Sequence, residues 1–378
     1  MLPHLLYVGD VPVEASYHGS ALVYRLLSNY PHEQLMVIET ATQSEPKRRL
    51  AGVHYLSHPI GKSRWLNTRF HPYAVAWFSQ AGSRAGSTIV QSINGFASEG
   101  VLTVGHGFGW LAAARVAKAK NVPLHLVVHD DWPRVADIAP AFRGWLDAQF
   151  ATVYRQARSR MCVSPAMSRA YYKRYGERAE VVYPSRAREC PEFAEPPARL
   201  GRNDRPFTIA FAGTINSGGY VRALTALQAA LKTVSGRLII FGPQLIDLDA
   251  DVRGLVTADE LLIRLREEAD ALFVPMSFEP SDRANMELAF PSKLADYTAT
   301  GVPLLIYGPR YCSAAAWARE NEGVAEVVEK ESDLSEAIKR LAIGPAHRVS
   351  LGRRALDTGR KYFSYAQVQQ TFIRALSA

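Results

Sequence analysis

Residues 269–309, ADALFVPMSFEPSDRANMELAFPSKLADYTATGVPLLIYGP, decide the fold. An uncharged apolar run, Ala271 to Val274, has the length of a strand buried on both faces. A polar loop follows, then Pro291-Ser292 opens a helix that Gly301 closes, and Pro303 to Tyr307 form a second buried strand. The unit is strand–helix–strand, the building block of a parallel sheet. Ser292 is the expected N-cap, so the N–H groups of Ser292, Lys293 and Leu294, with the positive end of the dipole, make an expected anion site. Lys293 adds a full charge in the same turn, and Asp296 follows one turn later, able to grip a hydroxyl. A diphosphate beside a sugar hydroxyl outlines a nucleotide-sugar.

On these residues the segment resembles the donor-binding signature of GT-B glycosyltransferases, in particular the large group-1, GT4-like class. That pattern is an apolar strand, Pro-Ser, a loop bearing a Glu, a helix with a second acid, then Ala-x-Gly-x-Pro and a strand. Glu279, four residues after Pro275, matches the first acid. Asp296, five before Gly301 and seven before Pro303, matches the second. The usual seven-residue gap would pair Glu279 with Glu287 instead. Glu287 lies in what reads as a charged loop, so Asp296, with a defined place on a helix, is preferred and Glu287 kept as the alternative.

Composition sets the frame. A chain of 378 residues with 48% hydrophobic content and mean hydropathy −0.10 can bury two ordinary cores. No apolar run is long enough for a spanning helix. The start, MLPHLLYVGDVP, lacks a basic n-region and cleavage site, and reads as a first core strand. Cys162, Cys190 and Cys312 form neither a CxxC pair nor an even set. That usage suits a reducing cytoplasm and argues against a zinc site. Net charge is +8, and residues 1–190 hold 22 Lys and Arg against 13 Asp and Glu. The basic half suits an anionic membrane surface, which would make the protein cytoplasmic and peripheral at the inner face, or a diphosphate-linked acceptor. No nucleic-acid-binding motif accompanies the charge, so nucleic acid is not an expected partner.

Strands and helices alternate throughout. The first half offers strands at 5–9, 34–39, 88–90, 102–104, 124–129, 159–163 and 180–183, with helices near 20–27, 110–120, 140–158 and 165–175. The stretch 184–206, PSRARECPEFAEPPARLGRNDRP, loses periodicity and reads as a boundary. The expected organisation is α/β: an N-terminal Rossmann-like acceptor-side domain over 1–190, a linker over 191–206 and a donor-binding domain over 207–357. By the resemblance, a helix over 358–378 crosses back to the first domain, and the two domains face each other across a cleft.

Ligands of open α/β sheets bind beyond the carboxyl ends of strands, where three loops are expected to meet. In the first, Asp10 to Ser20, Gly19 permits close approach, and Gly19-Ser20 resembles the family's glycine loop. The second pairs GHGFGW (105–110) with HDDW (129–132). By the resemblance His129 stands beside the donor sugar and the reacting centre; Asp130 orients or deprotonates an acceptor hydroxyl, with Asp131 its rival. His106 and Trp132 are placed on the acceptor side. Satisfied strand-end histidines are the competing reading of His106 and His129. In the third, FAGTINSGGY (211–220), Gly213 and Thr214 form a small polar turn suited to a diphosphate held by backbone N–H groups. Neither a G-x-G-x-x-G fingerprint nor a Walker A lysine is present, which weighs against NAD binding and NTP hydrolysis. Many family members carry an Arg and a Lys after this strand. Here Ser217, Gly218 and Gly219 occupy the loop, so neutralising charge must come from Lys293, Arg222 or Arg283.

The resemblance implies glycosyl transfer from a nucleoside-diphosphate sugar to a saccharide, lipid-linked or small-molecule acceptor. It implies retention of configuration and no cofactor or metal. Glu279, His129 and Asp130 are the expected catalytic set. A nucleotide-sugar epimerase, a non-catalytic nucleotide-sugar-binding protein and an NAD-dependent dehydrogenase remain as alternatives.

Overall fold

A computed structural model describes every residue except Met1, Tyr17, Thr42, Lys62, Asn94, Asn216, Ser217, 244–247 and Ala378. The chain divides into two compact units, Met1–Tyr183 with Val368–Ala378, and Pro184–Gln367.

The first unit holds β1 (Leu5–Gly9), β2 (Leu35–Glu39), β3 (His54–Ser57), β4 (Gly100–Val104), β5 (Leu124–Val128), β6 (Ser159–Cys162) and β7 (Glu180–Val181). They form one parallel sheet in the order β3-β2-β1-β4-β5-β6-β7. All five residues of β1, β4 and β5 are buried, which is why these strands read as largely apolar runs, broken only by Thr103 and His125. The order reverses between β1 and β4, the switch point at which a doubly wound sheet opens a crevice. Helix Tyr365–Ser377 brings Gln369 against this unit, where its amide donates to the carbonyls of Arg25 (2.6 Å) and Leu26 (3.1 Å).

The second unit holds β8 (Thr208–Ala212), β9 (Arg237–Phe241), β10 (Asp251–Val252), β11 (Ala271–Pro275), β12 (Leu304–Tyr307) and β13 (Ala325–Val328). The sheet is parallel, ordered β10-β9-β8-β11-β12-β13, and switches between β8 and β11. Ile209, Phe211, Phe273 and Leu305 from its strands, with Phe207 just before β8, pack with Leu224, Leu227 and Leu231 of helix Gly218–Lys232.

Several expectations need correction. Residues 88–90 are not a strand but the end of helix His71–Ser92. Two glycines and a Thr-Ile-Val cluster weaken helix propensity there, yet both glycines serve packing. A Cβ on Gly82 would lie 2.7 Å from the Phe108 carbonyl, and one on Gly86 2.5 Å from Arg115 Cβ, so this helix approaches helix Gly109–Lys120 closely. Strands β3, β10 and β13 were not expected; each is short and partly exposed, lacking a buried run. The stretch 191–206 is not a free linker. Leu200 is fully buried, and Arg199 pairs with Asp270 at 2.6 Å. Buried Arg348, on helix Pro345–Phe363, donates to the carbonyls of Leu200 (3.2 Å) and Arg202 (2.5 Å).

Candidate functional site

In the first unit the ends of β1, β4 and β5 converge on one polar cluster at the switch point. Asp10, just past β1, is half-buried and accepts hydrogen bonds from the Thr40 hydroxyl and the Phe108 N–H. Burial raises its carboxyl above the usual range, opposed by those bonds, by a Gly109 N–H and by His106. Two of the three glycines of GHGFGW, Gly107 and Gly109, make room for this carboxylate. Gly107 sits at φ +63°, and a side chain there would overlap Asp10; one on Gly109 would overlap Thr40. The loop after β4 is thereby wrapped on Asp10, which fixes where His106 stands. Sequence reading passed over Asp10 because its partners lie 30 and 98 positions away.

His129 and Asp130 follow β5. The Asp130 carboxylate lies 3.0 Å from His129 Nε2 and 3.6 Å from His106 Nδ1. Burial alone would raise its pKa, but the two imidazoles outweigh that and hold it well below the usual carboxylate range. His106 stacks on His129 (centroids 5.4 Å apart, 17°) and lies tilted against Trp132 at 4.4 Å. Among the described residues the buried Nδ1 of His129 and Nε1 of Trp132 have no hydrogen-bond partner, the condition of groups that serve a polar ligand. Ligand atoms of His106, His129 and Asp130 lie within 4.8 Å of one another, near enough to share a proton or a cation. Gly19 packs beside this group: a Cβ there would stand 3.2 Å from His129 Nε2. Ser20, one position on in helix His18–Leu27, is half-buried.

The neighbouring acids are separated by environment. Asp131 is fully buried and gripped by Arg174 through two bonds of 2.7 and 3.0 Å, with the Tyr171 hydroxyl donating at 3.0 Å. A carboxylate so satisfied is structural, and Asp130 is the one turned towards the imidazoles.

In the second unit, the 269–309 segment departs from expectation at its centre. The helix is one turn long, Lys293–Tyr297. Ser292 has helical dihedrals and makes no capping bond through its side chain. The Leu294 N–H is occupied by the Pro291 carbonyl at 3.0 Å. A helix this short sums few peptide dipoles, so the expected cradle of free N–H groups at Ser292–Leu294 is replaced by a side chain. The Lys293 ammonium lies 4.2 Å from the centre of the Phe211 ring and 5.7 Å from that of Tyr220. Burial lowers it to about 7, and among the described residues no carboxylate lies within ion-pair distance. Gly213, at φ +135° past β8, faces it: a Cβ there would be 3.5 Å from Nζ. Tyr297, which sequence reading missed, locks this arrangement. Its buried hydroxyl accepts from the Ala212 N–H at 2.7 Å, tying the short helix to the end of β8.

The remaining candidates fall nearby or pair off. Thr214 follows Gly213, while Ser217 lies outside the described residues. Glu279 is ion-paired with Arg222. Glu287 is not in a loop but on helix Arg283–Leu288, paired with Arg283 at 2.8 Å. Arg222 and Arg283 are thus occupied, leaving Lys293 as the unpaired cation among the three. Asp296 borders a groove of about 290 Å³ with Ala187, Glu189, Cys190, Ala258 and Leu262.

No family model matches the chain, and no curated protein matches it in sequence. Solved structures do match over its whole length. Anabaena Alr3699/HepE in complex with UDP and glucose is similar at TM-score 0.68 and 12% identity, covering 100% of both chains. The alpha,alpha-trehalose 6-phosphate synthase of Burkholderia multivorans is similar at 0.66 and 12%, covering 100% of this chain and 97% of that one. Sucrose-phosphate synthase of Thermosynechococcus elongatus is similar at 0.65 and 13%, covering 97% and 96%. At such identities the likeness is one of fold, and the fold is GT-B: two Rossmann-like units, each built on a parallel sheet.

Proposed function

We propose that the chain is a glycosyltransferase that moves a sugar from a nucleoside-diphosphate donor to an acceptor hydroxyl. The observation that carries this is Lys293, a half-buried cation with no carboxylate within ion-pair distance among the described residues, at the switch point of the second sheet. An ammonium held at such cost is relieved by an anionic ligand, and a diphosphate offers the charge and the oxygens. UDP is the first nucleotide to try, because HepE is seen in complex with UDP and an E. coli trehalose-6-phosphate structure is bound with UDP-2-fluoro glucose.

In this reading Lys293 sits against the diphosphate, with Gly213 and Thr214 allowing close approach. Asp296 holds a ribose hydroxyl at the groove it borders. The bond from the anomeric carbon to the diphosphate oxygen breaks, and charge grows on the departing phosphate, where a preoriented ammonium stabilises it without reorganisation. The acceptor oxygen bonds to the same carbon, and its proton passes to the departing diphosphate oxygen, which carries the electron pair of the broken bond. Asp130 orients that hydroxyl, and His129 holds the sugar. The family expectation is attack on the face the leaving group vacates, with retention and without a metal. The acceptor class is a saccharide, a lipid-linked saccharide or a small molecule, in polysaccharide, glycolipid or glycoconjugate synthesis.

Thermal unfolding with UDP, GDP, ADP, dTDP and their sugars tests the donor site. A selective rise with one base supports it; no shift with any removes it. Asp296→Ala should abolish the shift. Nucleotide binding without turnover on any acceptor would favour a second reading, a nucleotide-sugar-binding protein. That reading draws on the absence of Arg and Lys from residues 212–221.

A further inference from the structure

Four large aromatic side chains stand in solvent within one short segment: Trp65 (51% exposed), Phe70 (50%), Tyr73 (64%) and Trp77 (65%). Phe70, Tyr73 and Trp77 fall at i, i+3 and i+7 leading into helix His71–Ser92, so they share one face, and Arg84 continues it two turns on. The opposite face, including Val75, Phe78 and Ile89, is buried. Trp65 lies in the preceding turn of 3-10 helix, Ser63–Asn67. This segment is pinned rather than frayed. Thr68 donates to the Trp65 carbonyl at 2.9 Å, His71 Nδ1 bonds the Leu66 carbonyl at 2.6 Å, and the Phe70 N–H donates to Thr68 at 3.2 Å. Exposure of the rings is therefore built into the fold. With roughly half of each ring bare, the four present a few hundred Å² of apolar surface, the scale of a functional patch.

The charge around them is one-sided. Residues 46–98 contain seven Lys and Arg and no Asp or Glu. Arg64 and Arg69 flank Trp65 and Phe70, and Arg69 lies over the Phe70 ring at 4.9 Å. The carboxylate that approaches from outside the segment is Asp137, 3.8 Å from His71 Nε2.

We propose that this face docks on an anionic lipid bilayer, with Trp65, Phe70, Tyr73 and Trp77 entering the headgroup region and Arg64, Arg69 and Arg84 meeting lipid phosphates. Amphipathic rings on a fixed scaffold suit the membrane–water interface, where one edge is apolar and the other wet. A segment without acids gains from the negative potential of such a leaflet. A second copy of the same face would bring like charges together, which disfavours self-association. The proposal stands apart from the donor site and does not require turnover.

The test is co-sedimentation of the full chain with vesicles of phosphatidylcholine alone and with about one third phosphatidylglycerol. Tryptophan emission and its quenching by brominated lipids are followed in the same samples. Binding to the anionic vesicles only, with a blue shift, quenching, and loss near ~1 M salt, is expected. Arg64→Gln with Arg69→Gln should weaken partition about thirtyfold, and Trp65→Ser with Trp77→Ser should remove quenching. Both variants should keep the wild-type melting temperature and the wild-type response to UDP, which separates failure of this face from failure of the donor site. Should either variant fail to fold, wild-type quenching by brominated lipids decides alone. Absence of vesicle binding, equal binding to neutral vesicles, binding to RNA instead, or a dimer undone by the Trp variant would each overturn the proposal.

Discussion

Replacing Lys293 by Met should move stability and ligand affinity in opposite directions. Burial takes the ammonium from 10.5 to about 7. At about 1.4 kcal/mol per pKa unit, that cost has a ceiling of ~5 kcal/mol, reduced by whatever solvent reaches the half-buried side chain. Methionine keeps the stem packed on Phe211 and Tyr220 and forfeits only ~0.5–2 kcal/mol of cation–π attraction. The sign follows from linkage. Between about pH 7 and 10.5 the unfolded chain binds the proton that the folded chain has lost, so wild-type stability from this group rises with pH. The variant should thus melt higher than wild type at about pH 6, where the charged amine is buried, and the gap should close towards pH 10. Its affinity for UDP should fall, because a charge-assisted hydrogen bond contributes ~1.5–3 kcal/mol, or roughly 10- to 150-fold in Kd. Binding must also recharge the amine. At about pH 8 a group with a pKa near 7 is roughly one-tenth protonated, so the wild type should take up ~0.9 proton on binding UDP, and the variant none. Titration calorimetry in buffers of different ionisation enthalpy measures that uptake. Equal uptake by both proteins, or unchanged UDP affinity in Lys293→Met, would refute the assignment of Lys293 to the diphosphate.

Other substitutions separate roles that adjacent residues share. Asp130→Asn should cut single-turnover transfer by about two orders of magnitude with little effect on melting, because its partners are two histidines at the site. Asp131→Asn should instead cost ~2–4 kcal/mol in a denaturant titration, since it leaves Arg174 half-paired in a buried setting. Gly107→Ala forces a Cβ into Asp10 at a positive φ; a loss of more than ~2 kcal/mol is expected, with His106 displaced in its NMR shifts. Arg348→Leu strands carbonyls of Leu200, Arg202, Leu341 and Ala342, and should lower stability by ~2–4 kcal/mol and expose residues 198–203 to hydrogen exchange. Protection of that stretch unchanged in the variant would contradict the role given to Arg348.

The chain's linear pattern determined its class. Strands β1, β4, β5, β8, β11 and β12 are buried on both faces, and burial on both faces demands largely apolar runs that any window of sequence displays. Their alternation with amphipathic helices permitted only parallel sheets, and the loops after β4, β5 and β8 were legible as candidate sites because glycines and polar residues follow those runs. Edge strands β3, β10 and β13 left no such trace, since solvent on one side removes the constraint. What a side chain does at the site was decided by partners remote in sequence. Arg174, 43 positions from Asp131, turns that acid into structure and leaves Asp130 to the histidines. The Lys293 ammonium owes its low pKa to burial, which opposes the attraction of the Phe211 and Tyr220 rings, and its place to Tyr297 gripping the end of β8. Ser292 followed the statistics of a cap, but the turn closed with Pro291 instead. Local propensity cannot foresee such outcomes, because burial and hydrogen-bond satisfaction are properties of the assembled core.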